Sequence, residues 1–340
     1  MSLEPGDGLP IPRRYWAILT VGLAVTMATL DGAIANIALP TIAHDLDASP
    51  AASIWVVNAY QLAVTVTLLP LASLGELFEY RRVYRAGLLV FTIASFACTI
   101  SDSLTTLTLA RVLQGLGAAG IMSVNTALVR FIWPRAALGR GIGYNALVVA
   151  VSAALGPTVA AAILSVASWQ WLFAINVPIG LLALAATSAL PQTDRARHHF
   201  DGTSALLNAL TFGLLITGID SVGHHEGVIA VGGELLAAGI AGYLLVWRQL
   251  SQAWPLLPID LLRIPLFALS IATSVCSFIA QMLAYVSLPF YLQDYLGFSQ
   301  VETGLLMTPW PLTTAIVAPI AGRLADRFPV GILNGIGLLI

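Results

Sequence analysis

Long apolar blocks separated by short polar gaps make up nearly the whole chain. The blocks run roughly 15–39, 53–74, 84–101, 105–130, 139–165, 171–190, 203–219, 228–247, 266–289 and 304–321, and another begins at 331. Most of them match the ~20 residues that a helix needs to cross ~30 Å of hydrocarbon. The pattern predicts an all-α integral membrane protein with about ten complete transmembrane helices and a partial eleventh.

Basic residues follow a second pattern along the same chain. Every Lys or Arg is an arginine, and all except Arg111 lie in alternate gaps between the apolar blocks. Short cytoplasmic loops retain Lys and Arg, so the N-terminus is expected to be cytoplasmic and the odd-numbered helices to run outward. We expect the protein to lie in the plasma (inner) membrane of a bacterium.

Composition narrows the possible classes of protein. Hydrophobic residues make up 58% of the chain and charged residues 9%, with a mean hydropathy of +0.87, whereas soluble domains carry ~25% charged residues. A soluble globular protein is therefore excluded, and no basic patch favours nucleic acid as a partner. Cys98 and Cys276 fall inside apolar blocks, so they suggest neither a disulfide framework nor a metal site. No cofactor is predicted.

Two polar stretches divide the chain. The longest, Pro191 to Gly202, separates six helices from the rest, and Gln249 to Pro265 isolates the next two as a pair. We predict an N-terminal six-helix bundle at 1–190, a linker with two extra helices at 191–265, and an incomplete C-terminal bundle at 266–340. Because the last block ends at Ile340, too short to cross a bilayer, a truncated product or a fragment is expected.

Asp31 and Arg111 are the main functional candidates among the ionisable residues inside the predicted membrane helices. Asp31 lies about two-thirds along the first block, and Arg111 enters the fourth about two turns from its outer end, with Gln114 on the same face. A charged side chain at the centre of a membrane helix costs ~2.5–3.5 kcal/mol of insertion free energy. Their depths are similar, so a contact is possible. One interpretation is structural, in which the two residues form an ion pair or anchor the helix ends. The other is functional, in which the carboxylate exchanges a proton and the guanidinium tunes its pKa.

The sequence around these two residues resembles the major facilitator superfamily, and more narrowly its fourteen-helix (DHA2-type) drug:proton antiporters. Leu30-Asp31 through Leu39-Pro40 is similar to the first-helix signature of that group, and Leu107 to Gly115 to its fourth-helix motif. The resemblance implies proton-coupling roles for Asp31 and Arg111. It also implies a conformational role for Gly156 and Pro157, although Ser and Ala replace other glycines of that fifth-helix motif.

The loop after the second helix resembles the superfamily's cytoplasmic gating signature. The resemblance assigns gating roles to Glu76, Arg81 and Arg82, but Leu77 replaces a usual base and Glu79 a usual glycine. A counterpart after the tenth helix contains Asp326 and Arg327, as a parallel repeat predicts. The alternative is a solvated charge cluster that serves topology alone.

Three other motifs have simpler explanations than a binding or coupling site. Gly115 to Gly120 fits the dinucleotide fingerprint, but it lacks a preceding strand and a following acid; we expect its small residues to let helices four and five approach. His224, His225 and Glu226 are expected to be solvated in an external turn. Glu234 is either an interface anchor or a coupling residue.

The sequence predicts proton-coupled export of small hydrophobic or cationic compounds by alternating access. Polar or aromatic residues in the helices are candidates for the substrate cavity, although interhelical hydrogen bonding explains each of them equally well. They are Asn58, Gln61, Gln114, Asn145, Gln281 and Tyr285. Alternatives are proton-coupled uptake of a small metabolite and a truncated membrane protein without transport activity. No His/Asp or Ser/His constellation suggests an enzyme.

Overall fold

The chain folds into helices, and no strand occurs among the residues that the structure describes. The computed structural model describes residues 7–196, 199–223, 227–252, 254–257, 259–325, 331 and 335–337. Within these ranges it forms ten long helical segments at the ten predicted positions. The all-α fold class is confirmed. Most of the predicted eleventh helix, together with Asp326 and Arg327, lies outside the described residues.

The ten segments are numbered in chain order. They are α1 Ile11–Asp45, α2 Pro50–Phe78, α3 Tyr80–Thr99, α4 Leu104–Ile132, α5 Leu138–Leu164, α6 Gln170–Ala189, α7 Gly202–Gly223, α8 Val228–Ser251, α9 Pro265–Phe290, and α10 with two parts, Gln300–Met307 and Pro309–Ala325. In the described part of the chain, α1, α2 and α4 to α9 are long and apolar enough to cross a membrane. The protein is therefore an integral membrane protein with several spans.

Serine side chains begin three of the helices. Ser49, Ser103 and Ser299 each accept a hydrogen bond from the backbone N–H three residues later. These bonds satisfy donors that have no partner in the first turn of a helix. The short gaps between apolar blocks thus contain the signals that begin α2, α4 and α10.

Glycines allow α4 to touch two neighbours at backbone distance. A Cβ added to Gly117 would lie 2.4 Å from the backbone nitrogen of Phe91 in α3, and one on Gly115 would lie 2.5 Å from the carbonyl oxygen of Tyr60 in α2. The prediction that this run joins helices four and five was wrong, because α3 and α2 occupy these faces. Glycine spacing indicates a close backbone without identifying the neighbour.

The remaining helices pack around this centre. α1 packs against α5 and α6, while α7 and α8 form a hairpin on α2, where the Asn208 Nδ2 donates to the Val66 carbonyl at 2.8 Å. α10 packs against α5, where a Cβ on Gly304 would lie 2.7 Å from the Pro157 carbonyl oxygen. Two apolar clusters form the core, one containing Ala28 and the other Leu30. Asp31 therefore lies at their boundary.

Candidate functional site

The predicted contact between Asp31 and Arg111 is present. Both side chains are almost completely buried, Asp31 in α1 and Arg111 in α4. The Nη1 of Arg111 donates a hydrogen bond to Oδ2 of Asp31, so the two form a charge-assisted pair. A pair without water around it is costly unless further hydrogen bonds satisfy its remaining polar atoms.

Two side-chain amides supply such bonds to the other carboxylate oxygen. The Nε2 of Gln114 and the Nδ2 of Asn176 each donate to Oδ1 of Asp31 at 2.8 Å. Asn176 begins the helical segment that follows a break at Ile175 in α6. The carboxylate is therefore bonded by helices α4 and α6 at once.

Gln114 also connects the pair to α3. Its Oε1 accepts a hydrogen bond from Nη1 of Arg111 at 2.6 Å, and its Nε2 donates to Oγ of Ser95 at 2.9 Å. The Cys98 thiol lies 3.6 Å from the same Oε1. Every side-chain polar atom of Gln114 is used within this cluster. The structure therefore places Gln114 beside the ion pair, where it makes the interhelical hydrogen bonds that the sequence allowed as the alternative to a cavity contact.

The guanidinium of Arg111 has partners besides the carboxylate. Its Nε donates to the Val56 carbonyl at 2.9 Å, and its Cζ lies 4.2 Å from the ring centroid of Tyr60 and 5.5 Å from that of Phe173. Aromatic faces attract a cation within ~6 Å. The positive charge of Arg111 is therefore stabilised by groups other than Asp31.

One buried polar atom in this cluster is unsatisfied. The Nη2 of Arg111 has no hydrogen-bond partner among the described residues. A buried unpaired donor costs ~1–3 kcal/mol, more when it is charged. Nη2 is thus the one side-chain nitrogen of Arg111 that the described neighbours leave without a hydrogen-bond partner.

The other predicted cavity residues occupy different surroundings. Asn58 is half-buried and Gln61 exposed on α2, and the Oδ1 of Asn145 accepts from Nδ2 of Asn125 at 3.0 Å, which joins α4 to α5. On α9, Gln281 is half-buried and Tyr285 places its ring edge-on to Trp310, with centroids 6.1 Å apart. Asn145 thus serves as an interhelical partner, one of the two explanations that the sequence allowed.

The predicted gate contains a strained residue between α2 and α3. Glu79 has a φ of +91°, a region that favours glycine, and its carboxylate lies 3.2 Å from the Nε of Arg82. The neighbouring Glu76 accepts the Ala196 N–H through its carbonyl at 2.8 Å. The backbone angle at Glu79 therefore explains why the resembled family has a glycine at this position. Sequence alone did not identify the Glu79–Arg82 pair.

Gly156 and Pro157 lie where α5 meets α1 and α10. A Cβ on Gly156 would lie 2.4 Å from the Cβ of Ala33, and the Oγ1 atoms of Thr158 and Thr308 are 2.8 Å apart. Close packing by Gly156 is thus observed, between α5 and α1. Thr158 and Thr308 were missed because an isolated Thr in an apolar helix is too common to be a signal.

The remaining candidates are Glu234 and the predicted histidine-containing turn before α8. Glu234 accepts a hydrogen bond from Oγ of Ser221 at 3.0 Å, which joins α8 to α7. His224, His225 and Glu226 lie outside the described residues. Within the described ranges, no group of three His, Cys, Asp or Glu side chains is arranged to hold a metal ion.

Comparison with known proteins supplies the family. The model of the Major Facilitator Superfamily matches residues 21–340. The Escherichia coli protein described as "Uncharacterized transporter YebQ" is 58% identical over 100% of this chain and 75% of its own length. The riboflavin transporter RibZ of Clostridioides difficile is 33% identical, covering 93% of this chain and 69% of its own length. The multidrug resistance protein Stp of Mycobacterium tuberculosis is 32% identical, and the match covers 95% of this chain and 61% of the length of Stp.

Proposed function

Because the chain belongs to the major facilitator superfamily, and is thus a membrane transporter and not an enzyme, we propose that it exports small hydrophobic or cationic compounds in exchange for protons. The proposal includes the fourteen-helix antiporter subgroup, a bacterial plasma membrane and a cytoplasmic N-terminus. The alternation of arginine-containing gaps along the chain supports that orientation.

One observation carries the proposal: a buried carboxylate whose partners tolerate a change in its charge. Asp31 accepts from Arg111, Gln114 and Asn176. When Asp31 takes up a proton, Arg111 keeps the Val56 carbonyl, the Gln114 amide oxygen and the Tyr60 ring as partners. Intramembrane acids of this kind are typical of proton relays.

Transport then follows from alternating access. Asp31 takes a proton while it is open to the outside and releases it inward, with Arg111 as partner, and release excludes simultaneous binding of cytosolic substrate. If one proton is exchanged for one monovalent cation, no net charge crosses, and the ~2.3 kcal/mol per 100 mV of membrane potential does not contribute. A neutral substrate uses both the potential and the pH gradient.

We assign gating and substrate binding to separate groups of residues. Gating is proposed for Glu76, Arg81, Arg82, Gly156 and Pro157, together with Asp326 and Arg327. Substrate contacts are proposed for Asn58, Gln61, Asn145, Gln281 and Tyr285. The glycine contact of α5 with α1 and the packing of α10 on α5 support a role for Gly156 and Pro157, because separation of these helices would open a path between them.

A second candidate is proton-coupled movement of a small metabolite, including uptake. The relative RibZ is described as a riboflavin transporter, whereas Stp is described as a multidrug resistance protein. The two candidates differ in the compound and in the direction of net flux. Proteoliposomes with a fixed orientation and an imposed pH gradient distinguish them, with ethidium as a hydrophobic cation and riboflavin as a neutral metabolite.

The test of coupling uses the same proteoliposomes with a pH-sensitive dye inside. Addition of a transported compound should move protons in the unmodified protein and in Asp102→Asn, which removes an exposed acid just before α4. Asp31→Asn should bind the compound but move no protons. Proton movement of normal size in a folded Asp31→Asn protein would contradict the proposal.

A further inference from the structure

A cavity opens at the beginning of α3, away from the buried pair. Its volume is about 210 Å³, and it is lined by Glu79, Arg81, Arg82, Arg85 and Gln192. Gln192 comes from the segment after α6, which is held beside α2 by the hydrogen bond from the Ala196 N–H to the Glu76 carbonyl. Two parts of the chain more than 100 residues apart therefore build this site.

The cavity carries an excess of positive charge. Three guanidiniums face one carboxylate, and that carboxylate is paired with Arg82. Arg81 and Arg85 form no ion pair with any residue that the structure describes. The first turn of α3 adds its backbone N–H groups, whose partial charge also favours an anion, and no side chain caps it. The site is suited to a group with negative charge.

An apolar stripe continues from the arginines along the same face of α3. Arg82, Arg85, Leu89, Ile93 and Phe96 follow one another at three- or four-residue spacing, and all are exposed. Residues with this spacing share one face of a helix. At 1.5 Å per residue, Arg85 to Phe96 spans ~17 Å, close to the ~15 Å of one hydrocarbon leaflet.

We propose that this cavity binds the phosphate of an anionic phospholipid, whose acyl chain lies along Leu89, Ile93 and Phe96. Soluble phosphate would use the arginines alone, so the apolar stripe favours a lipid. Basic pockets beside membrane helices are suited to such headgroups. With the orientation that the arginine pattern predicts, the lipid belongs to the cytoplasmic leaflet.

Lipid titration of the purified full chain in detergent, followed by native mass spectrometry, tests the site. The unmodified protein should retain phosphatidylglycerol in preference to phosphatidylcholine. The double variant Arg81→Gln/Arg85→Gln should lose about thirtyfold in apparent affinity for phosphatidylglycerol. The matched control Arg135→Gln/Arg140→Gln removes two exposed arginines from another gap and should bind as the unmodified protein does.

A lysine variant and competition with soluble phosphates distinguish a lipid site from misfolding and from a site for soluble anions. The variant Arg81→Lys/Arg85→Lys keeps both charges and should retain the affinity for phosphatidylglycerol within about threefold. It therefore shows whether the glutamine variant loses binding through charge and not through misfolding. Inorganic phosphate and glycerol phosphate at equal concentration should leave lipid binding unchanged. Unchanged affinity in a folded Arg81→Gln/Arg85→Gln protein overturns the site. Full displacement of lipid by inorganic phosphate overturns the lipid assignment and indicates a site for soluble anions.

Discussion

The same pair of residue types, Asp with Arg, occurs in two very different places in this molecule. The side chains of Asp31 and Arg111 are 1% and 0% exposed, whereas those of Asp201 and Arg248 are 17% and 35% exposed. The first pair joins α1 to α4 within the core. The second joins the start of α7 to the end of α8, at the end of the hairpin.

The surroundings of the two pairs show what each one does. Arg248 contacts both oxygens of Asp201, which also caps α7 through Ser204, so every bond favours one fixed hairpin. Around Asp31 and Arg111, neutral amides and aromatic rings supply alternative partners for each charge. One pair fixes a hairpin, and the other has partners besides its counter-ion, as the proposed change of charge at Asp31 requires.

The largest expected effect comes from removing one arginine of each pair. Arg111→Ala should lower the free energy of unfolding by about 3–5 kcal/mol, because it leaves a buried carboxylate without its cation and opens a cavity. Arg248→Ala should cost about 1 kcal/mol or less, since water reaches that pair. Unfolding in detergent, followed by circular dichroism, measures both. Equal losses in the two variants would contradict the comparison.

A smaller effect is expected from Asn176, which bonds the charged carboxylate. Asn176→Ala should destabilise the protein by about 1.5–3 kcal/mol, the range for a hydrogen bond to a charged group. Asn125→Ala removes a bond to the neutral Asn145 and should cost about 0.5–1.5 kcal/mol. The same unfolding measurement orders the two variants. A larger loss for Asn125→Ala would show that Asp31 is not charged in the folded state.

The third ion pair, Glu79 with Arg82, tests whether backbone strain matters beside charge. Glu79→Gly and Glu79→Ala both lose the pair, but only glycine accepts a φ of +91° without strain. Glu79→Gly should therefore be more stable than Glu79→Ala by about 1 kcal/mol. Melting temperatures of the two variants in one detergent give this difference. Identical values would indicate that the backbone relaxes at this turn.

The last prediction concerns the pH dependence of stability at the hairpin. Partial burial of Asp201 favours its neutral form, but hydrogen bonds from Arg248 and Ser204 outweigh it and lower the pKa of Asp201 to about 2. The unfolded value is ~3.9, so this stabilisation is complete above about pH 4 and is lost as the pH falls through about 2. The stability difference between the unmodified protein and Asp201→Asn should therefore close over that range. A stability difference between the two proteins that stays constant from pH 5 to pH 2 would contradict the lowered pKa of Asp201.

Sequence predicted the parts of the structure that follow from hydrophobicity and charge. Blocks of apolar residues located all ten long described helical segments, and the similar depths of Asp31 and Arg111 in their blocks allowed the contact that the structure shows. The neighbours of the Gly115 to Gly120 run were predicted wrongly, and the sequence left open whether Gln114 bonds to other helices or to substrate. A side chain's spacing fixes its face on a helix, but tertiary packing decides which helix lies opposite.

Asn176 and Glu79 show two further limits of the sequence. Asn176 is one polar residue in an apolar block, and nothing local indicates that it bonds a carboxylate 145 residues away. Glu79 stands where the resembled family has glycine, yet only the backbone angle shows why that position is special. Both features arise from long-range packing.

Infrared difference spectroscopy of the carboxyl groups tests the central claim most directly, because it needs no knowledge of the substrate. The purified protein is titrated with acid in a lipid film, and the spectrum of Asp31→Asn is subtracted from that of the unmodified protein. We predict a protonated-carboxyl band that appears and disappears reversibly with pH and belongs to Asp31. A difference spectrum without such a band at any pH at which the protein is folded would contradict the account, because Asp31 could then carry no proton.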